Sequence, residues 1–278
     1  MNKKTEHFLR KNKLAVFLAA ILCLILLAAV FAPWVAPHDP YEINLEKAKE
    51  PPQKAYPFGT DAQGRCILSR MIYGARISLF IGFCATASAL FIGVLFGTVA
   101  AYFGGIADNI ITFLIDVTLS LPGLLVAIAI TVVFEPGVLT VLIALCIVGW
   151  AGFARIIRSS VISIKGQDYV ASALVLGLSR KLVMLKYVLP NIIPIIFITA
   201  SLRIGVFILS EASLSFLGLG ISPPEPTWGG MIASSVSYVE TAPWMAFFPG
   251  VALAVTIFCF NLIGDSMKDY VNFMGNRL

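Results

Sequence analysis

Apolar residues in this chain fall into long, nearly unbroken runs rather than an alternating or striped pattern. The runs cover residues 14–36, 77–102, 109–133, 138–157, 191–212 and 244–264. A helix that crosses the hydrocarbon core of a bilayer needs about 20 mainly apolar residues. Each run is long enough for one crossing, so the pattern predicts an all-α membrane protein with six transmembrane helices. The first run exceeds the roughly 7–15-residue apolar core of a cleaved signal peptide, which makes it a retained span.

The segments between the runs differ in kind. Residues 37–76 mix Asp39, Glu42, Glu46, Glu50 and Asp61 with Lys47, Lys49, Lys54, Arg65, Arg70 and Arg76, and five prolines punctuate them. This predicts a folded extramembrane loop. The organisation expected is a tail at 1–13, a first helix at 14–36, the loop at 37–76, a core at 77–266 that contains a second long loop at 158–190, and a tail at 267–278.

Composition agrees. Only 13% of the 278 residues are charged and mean hydropathy is +0.91, against roughly 25% charged residues in a soluble domain. A soluble enzyme, a disordered chain and a nucleic-acid module are excluded despite the net charge of +5. Lys and Arg instead report topology. With both ends inside, 13 basic residues fall inside and 6 outside, with Arg203 within a span. That bias predicts a cytoplasmic N-terminus and C-terminus. The five cysteines have no CxxC spacing, and His7 and His38 are the two histidines, too few for a histidine metal cage.

The loop at 158–190 carries the densest local signals. Gly166 ends the incoming helix, Asp168 suits the N-cap of a new one, and Ala171, Ser172 and Ala173 give that helix a thin side. Gly177 supplies the left-handed residue expected past a helix end. Ser179 can cap a second helix from Arg180 to Val188, and Pro190 marks the next break. Two short helices joined at a bend are predicted.

Within the spans, Ala85, Ala89, Gly93, Gly97 and Ala101 recur every four residues, a spacing that lets helix backbones approach closely. The face is either internal or a contact with a partner subunit. Ionisable residues inside spans are costly and are candidates for function. Asp116 in the third span fits a structural role, pairing with a neighbouring helix. Arg203 and Glu211 in the fifth fit either structure or a substrate pathway. They are about 12 Å apart along a helix, on a similar face but too far apart to pair.

Several segments, in this order, resemble one family: the inner-membrane permease subunits of ABC importers, in particular the second permease of dipeptide, oligopeptide and nickel importers. They are Phe58-Gly59-Thr60-Asp61 with Gly64-Arg65, Tyr73-Gly74-Ala75-Arg76-Ile77-Ser78-Leu79, Ala171-Ser172-Ala173-Leu174-Val175-Leu176-Gly177, Leu189-Pro190-Asn191, Ser215-Phe216-Leu217-Gly218-Leu219-Gly220, Trp228-Gly229, and Asn261-Leu262-Ile263-Gly264-Asp265. The third matches the family's E-A-A-x-x-x-G loop, with Ala171 in place of its Glu and Leu174 in place of a usual Arg. Cys66 stands where the outer loop usually has an acid.

The resemblance implies a type I permease fold, half of a translocation pathway worked by alternating access, and ATPase coupling through Asp168, Tyr169, Ala171, Ser172, Ala173, Gly177 and Ser179. It also implies partners: a second permease, two ATPase subunits that bind ATP and Mg2+, and an extracytoplasmic binding protein. The chain has no G-x-x-x-x-G-K-[ST] phosphate loop, so hydrolysis belongs to the partners. Peptide import is the leading expectation and nickel or a metal chelate the alternative. A six-span intramembrane enzyme is the remote one, since both histidines lie at or beyond the membrane edge and Asp116 is the one acid expected deep in a span without a second beside it.

Overall fold

The computed structural model describes residues 13–275, with side chains through Asp269. Most of the basic N-tail, His7 and Arg277 lie outside the described residues. Helix α1 spans Lys13–Val30, followed by the single turn α2 (Ala32–Val35). Helix α3 (Ile67–Phe103) leads into α4 (Gly105–Ser120), α5 (Gly123–Val133) and α6 (Val138–Lys165). Two short helices follow, α7 (Asp168–Val175) and α8 (Arg180–Val183). A π-helical turn at Met184–Val188 joins α8 to α9 (Leu189–Phe216), and α10 (Trp228–Ser235) and α11 (Trp244–Gly275) complete the chain. Among the described residues the only β pairing is an isolated bridge between Thr60 and Cys66.

Five of these helices are long and apolar enough to cross a membrane, and α4 with α5 forms a sixth candidate bent by 86°. The single straight span expected at 109–133 is therefore corrected. Leu121-Pro122 is the cause: Leu121 is extended at φ −96°, ψ 142°, because the proline ring disfavours a helical residue before it. The bent pair nevertheless crosses. Helices α3 and α6 run parallel, with Ala89 beside Gly149, Gly93 beside Phe153 and Gly97 beside Ala154. The segment between them must carry the chain back to the end where α3 began, and α4–α5 is that segment.

The stripe of small residues is an internal face. Ala85, Ala89, Gly93, Gly97 and Ala101 are all buried against α6, the most extensive helix pair in the molecule. In lipid such association rests on van der Waals contact between closely approaching backbones. A Cβ at Gly97 would come 2.6 Å from the Ala154 carbonyl oxygen, so only glycine permits this approach.

Helix α3 begins ten residues before the expected span, which shortens the 37–76 loop to 36–66. Its first turn buries Arg70, whose Nη1 donates to the Pro40 carbonyl at 3.0 Å. Asp61 organises the loop: Oδ1 accepts from the backbone N–H groups of Gln63 (2.8 Å) and Arg65 (3.0 Å), and Oδ2 from Arg65 Nε (2.7 Å). Phe58 stacks on Phe248 at 4.1 Å, and Trp244 Nε1 donates to the Thr60 carbonyl at 3.3 Å. The loop thus sits on the start of α11.

Candidate functional site

The two helices predicted between the fourth and fifth spans form, with corrected boundaries. Helix α6 continues to Lys165, so Arg158 and Lys165 belong to a helix rather than to the loop. Gln167, extended at φ −78°, ψ 146°, is the N-cap of α7; it makes no side-chain cap bond, and Asp168 is the first helical residue. There its negative charge still favours the positive end of the helix. At the other end Gly177 has φ +82°. Its N–H donates to the Leu174 carbonyl at 3.0 Å, and the Leu178 N–H to that of Ala173 at 3.3 Å. This double bond pattern is the Schellman helix stop, and it requires a left-handed residue at this point. Ser179 Oγ accepts from the Leu182 N–H at 3.3 Å and caps α8.

Pro190 does not break the chain. It lies in the first turn of α9, and the wider π turn before it absorbs its missing N–H, with the Leu189 N–H donating to the Met184 carbonyl. The 37 residues from Arg180 to Phe216 therefore run as one helical segment.

Helix α7 has two sides. Val170 and Ala173 are buried against Ala101, Tyr102, Ile157, Val161 and Val183. Ala173, expected on the contact side, therefore faces the protein's own bundle. Asp168, Ala171, Ser172, Val175 and Leu176 line a shallow outward depression, and Tyr169 is exposed beside them. Val175 is 87% exposed and Leu176 81%. Exposed apolar side chains clustered at a tip mark a contact surface. The element is braced from behind: Lys165 Nζ donates to the Tyr102 carbonyl at 2.9 Å, and Tyr102 Oη donates to the Arg180 carbonyl at 2.6 Å.

The charged residues of the spans occupy distinct settings. Asp116, expected to be buried, is 60% exposed at its side chain and accepts from Arg155 Nη2 at 2.6 Å. Two turns away, Asp108 holds Arg158 through two bonds, 2.6 and 2.7 Å. The pairs tie α4 to α6. The sequence suggested that Asp116 pairs with a neighbouring helix but did not name Arg155, and the Asp108–Arg158 pair was missed, although Asp108 and Asp116 eight residues apart against Arg155 and Arg158 was a signal for both.

Glu211 is fully enclosed, with 0% exposure; its Oε1 accepts from Ser215 Oγ at 2.8 Å. Arg203 points elsewhere. It lines a cleft of about 280 Å3 walled by Gly123, Leu124 and Ala127 of α5, Gly149 and Gly152 of α6, and Phe207 and Ser210 of α9. Its guanidinium carbon lies 5.9 Å from the centre of the Phe153 ring, within cation–π range. The bend at Pro122 supplies one wall, and this cleft was not legible in the sequence.

Comparison with known proteins agrees with this architecture. The family described as binding-protein-dependent transport system inner membrane component matches residues 93–273, and the N-terminal TM domain of oligopeptide transport permease C matches residues 7–52. The oligopeptide transport system permease protein OppC of Bacillus subtilis is 39% identical, over 94% of this chain and 85% of its own length. The dipeptide transport system permease protein DppC of Alkalihalophilus pseudofirmus is 38% identical, over 94% and 86%. The glutathione transport system permease protein GsiD of Escherichia coli is 37% identical, over 94% and 86%. Among solved structures, an inward-facing form of the MetNI methionine ABC transporter superposes with a TM-score of 0.63 at 14% identity, over 74% of this chain and 97% of that one; at that identity the likeness is one of fold. Because the first match runs from the last third of α3 to near the end of α11, it takes in α4 to α10 with the α7–α8 element and nearly two thirds of the chain: the chain belongs to the family of binding-protein-dependent transport system inner membrane components, and is a membrane permease subunit rather than a six-span enzyme.

Proposed function

We propose that the chain forms one half of the translocation pathway of an ATP-driven importer of di- or oligopeptides. The observation that carries this is the exposed tip of α7, with Val175 and Leu176 outward on a helix whose opposite side is locked into the bundle. Such an arrangement suits a rigid lever pressed by another protein. The lever's occupant is one of two ATPase subunits, which bind ATP and Mg2+. A second permease completes the pathway, and an extracytoplasmic binding protein delivers the substrate. Peptide is favoured over nickel or a metal chelate because the relatives described above are named for oligopeptide, dipeptide and glutathione transport.

Asp168, Tyr169, Ala171 and Ser172 are assigned to the ATPase contact, with Val175 and Leu176 added to them. Gly177 and Ser179 shape the element, and Ala173 anchors it. Arg203 is assigned to the substrate pathway. Glu211, enclosed between helices, is assigned a clamping role. The end that bears α7 is taken as cytoplasmic, on the weight of basic residues there, with the 36–66 loop extracytoplasmic and both chain ends cytoplasmic.

The test is peptide uptake by cells lacking the chain and by the same cells with it restored, alongside ATP hydrolysis by the purified chain. Uptake that depends on the chain, together with no hydrolysis by the chain alone, is expected. Appreciable hydrolysis by the isolated chain, or uptake indifferent to its loss, contradicts the proposal. Cysteine labelling in intact cells checks orientation: position 50 should react from outside and position 176 only after permeabilisation.

A further inference from the structure

We infer that Arg203 and the cleft around it form a binding site for the carboxylate of the transported peptide. The inference rests on the peptide-import reading and deepens it by naming the group recognised and the residue that holds it.

The cleft has one cationic group. Its walls are otherwise mostly apolar, from Leu119, Leu124, Leu145, Val148, Val206 and Phe207, with the hydroxyl of Ser210 at one side. Among the described residues no carboxylate lies within salt-bridge distance of Arg203, whereas Arg155 and Arg158 on the neighbouring helix each have one. An ionised side chain placed within a span is expensive unless it is paired or serves a solvated path. Here the partial compensation is the face of Phe153, and aromatic contact leaves the planar N–H donors free at the edge.

Space has been made for that edge. A Cβ on Gly152 would lie 2.7 Å from one guanidinium nitrogen of Arg203, so the α6 backbone passes directly beside the charge. Gly149 and Gly123 also line the cleft, where they let Phe207 and Val148 pack close against the backbone. A guanidinium presents its donors in a fork that matches a carboxylate bidentately. A single fork inside an apolar cleft is complementary to an anionic terminus carried on an apolar body, which is the chemistry of a peptide's free C-terminal end. A peptide whose end is amidated lacks the charge and should gain little from the site.

The test is a protection experiment on the purified complex with its partner subunits. Val206→Cys places a thiol in the cleft wall, and maleimide labelling at position 206 is followed by mass spectrometry. The probes are an apolar tripeptide with a free carboxylate and the same tripeptide as its C-terminal amide. A charge-assisted hydrogen-bonded contact corresponds to roughly tenfold or more in affinity, so the acid should slow labelling at a concentration where the amide, needing about ten times more, does not. Adding Arg203→Gln should abolish protection by the acid, and Arg203→Lys should retain part of it. Equal protection by acid and amide, or no protection by either, overturns the inference. The acid–amide comparison is made with Arg203 intact, so it stands even where a variant assembles poorly. Peptide uptake by the unlabelled wild type separates the two levels. Uptake without acid-specific protection removes this site alone, while absence of uptake removes the import reading with it.

Discussion

The Tyr102 hydroxyl donates a 2.6 Å hydrogen bond to the Arg180 carbonyl, joining the last turn of α3 to the start of α8 across 78 residues of sequence. The bond fastens the α7–α8 element to a helix that runs the length of the bundle. One such bond to a neutral acceptor contributes about 1 kcal/mol, a factor of roughly 5 in a local opening equilibrium. Tyr102→Phe should therefore speed amide hydrogen exchange in residues 178–183 about fivefold, with exchange in α9 beyond residue 195 unchanged. Unaltered exchange at 178–183 would mean that the bond does not hold the element.

Packing between α3 and α6 leaves no room at Gly93, where an added Cβ would run into the Phe153 side chain and come 2.9 Å from the Ala154 nitrogen. Gly93→Ala gains about 0.5–1 kcal/mol from lower backbone entropy in the unfolded chain, but overpacking costs about 1–3 kcal/mol. The net effect is loss of stability, larger for Gly93→Leu. Gly250 in α11 has nothing within 4 Å of an added Cβ, and Gly250→Ala should be neutral or stabilising. Thermal unfolding in detergent, followed by fluorescence-detected aggregation, orders the three variants. A Gly93→Leu protein as stable as wild type would refute the close approach.

On the loop side, Tyr41 Oη donates to Glu225 Oε2 at 2.8 Å and links the 36–66 loop to the segment before α10. Partial burial, and next the carboxylate beside it, push the Tyr41 phenol up to about 12. Its folded pKa lies above the ordinary value of about 10. The link's contribution is therefore complete below pH about 10 and lost as the pH rises through about 12. Subtracting the ultraviolet titration of Tyr41→Phe from that of wild type should leave one tyrosine with a midpoint near 12. Glu225→Gln should lower that midpoint. A wild-type midpoint near 10 contradicts the hydrogen bond.

How much of this was legible in the sequence follows from the range of each signal. The crossings were visible because twenty apolar residues in a row constrain a chain locally. Gly177 and Ser179 were legible for a related reason: a helix stop and a helix cap are decided within four residues. The five-residue stripe in α3 was recognised, but which helix it faced depends on α6, sixty residues away. Asp168 was misplaced by one residue because Gln167 takes the extended cap conformation without a side-chain bond. The 86° bend was missed although Leu121-Pro122-Gly123 spells a break, because the apolar run continues through it. With the bend went the cleft at Arg203, whose walls come from four separate helices. Ala173 was assigned outward on residue size; its inward position follows from the register that buries Val170.

The central role proposed for α7 is to transmit the partner's ATP cycle to the bundle. No atom lies within 4 Å of a Cβ added at Gly177, so a substitution there acts through the backbone alone, at φ +82°. A residue with a Cβ adopts that conformation at a cost of about 1–2 kcal/mol, more for a β-branched one, and the Schellman stop opens. Ala171 faces outward, where a longer acidic side chain meets no obstruction. The decisive measurement is peptide-stimulated ATP hydrolysis by the complete complex assembled with Gly177→Val or with Ala171→Glu. Loss of stimulation with Gly177→Val despite normal membrane insertion, and retention with Ala171→Glu, is the predicted result. Full stimulation with Gly177→Val and none with Ala171→Glu would contradict it.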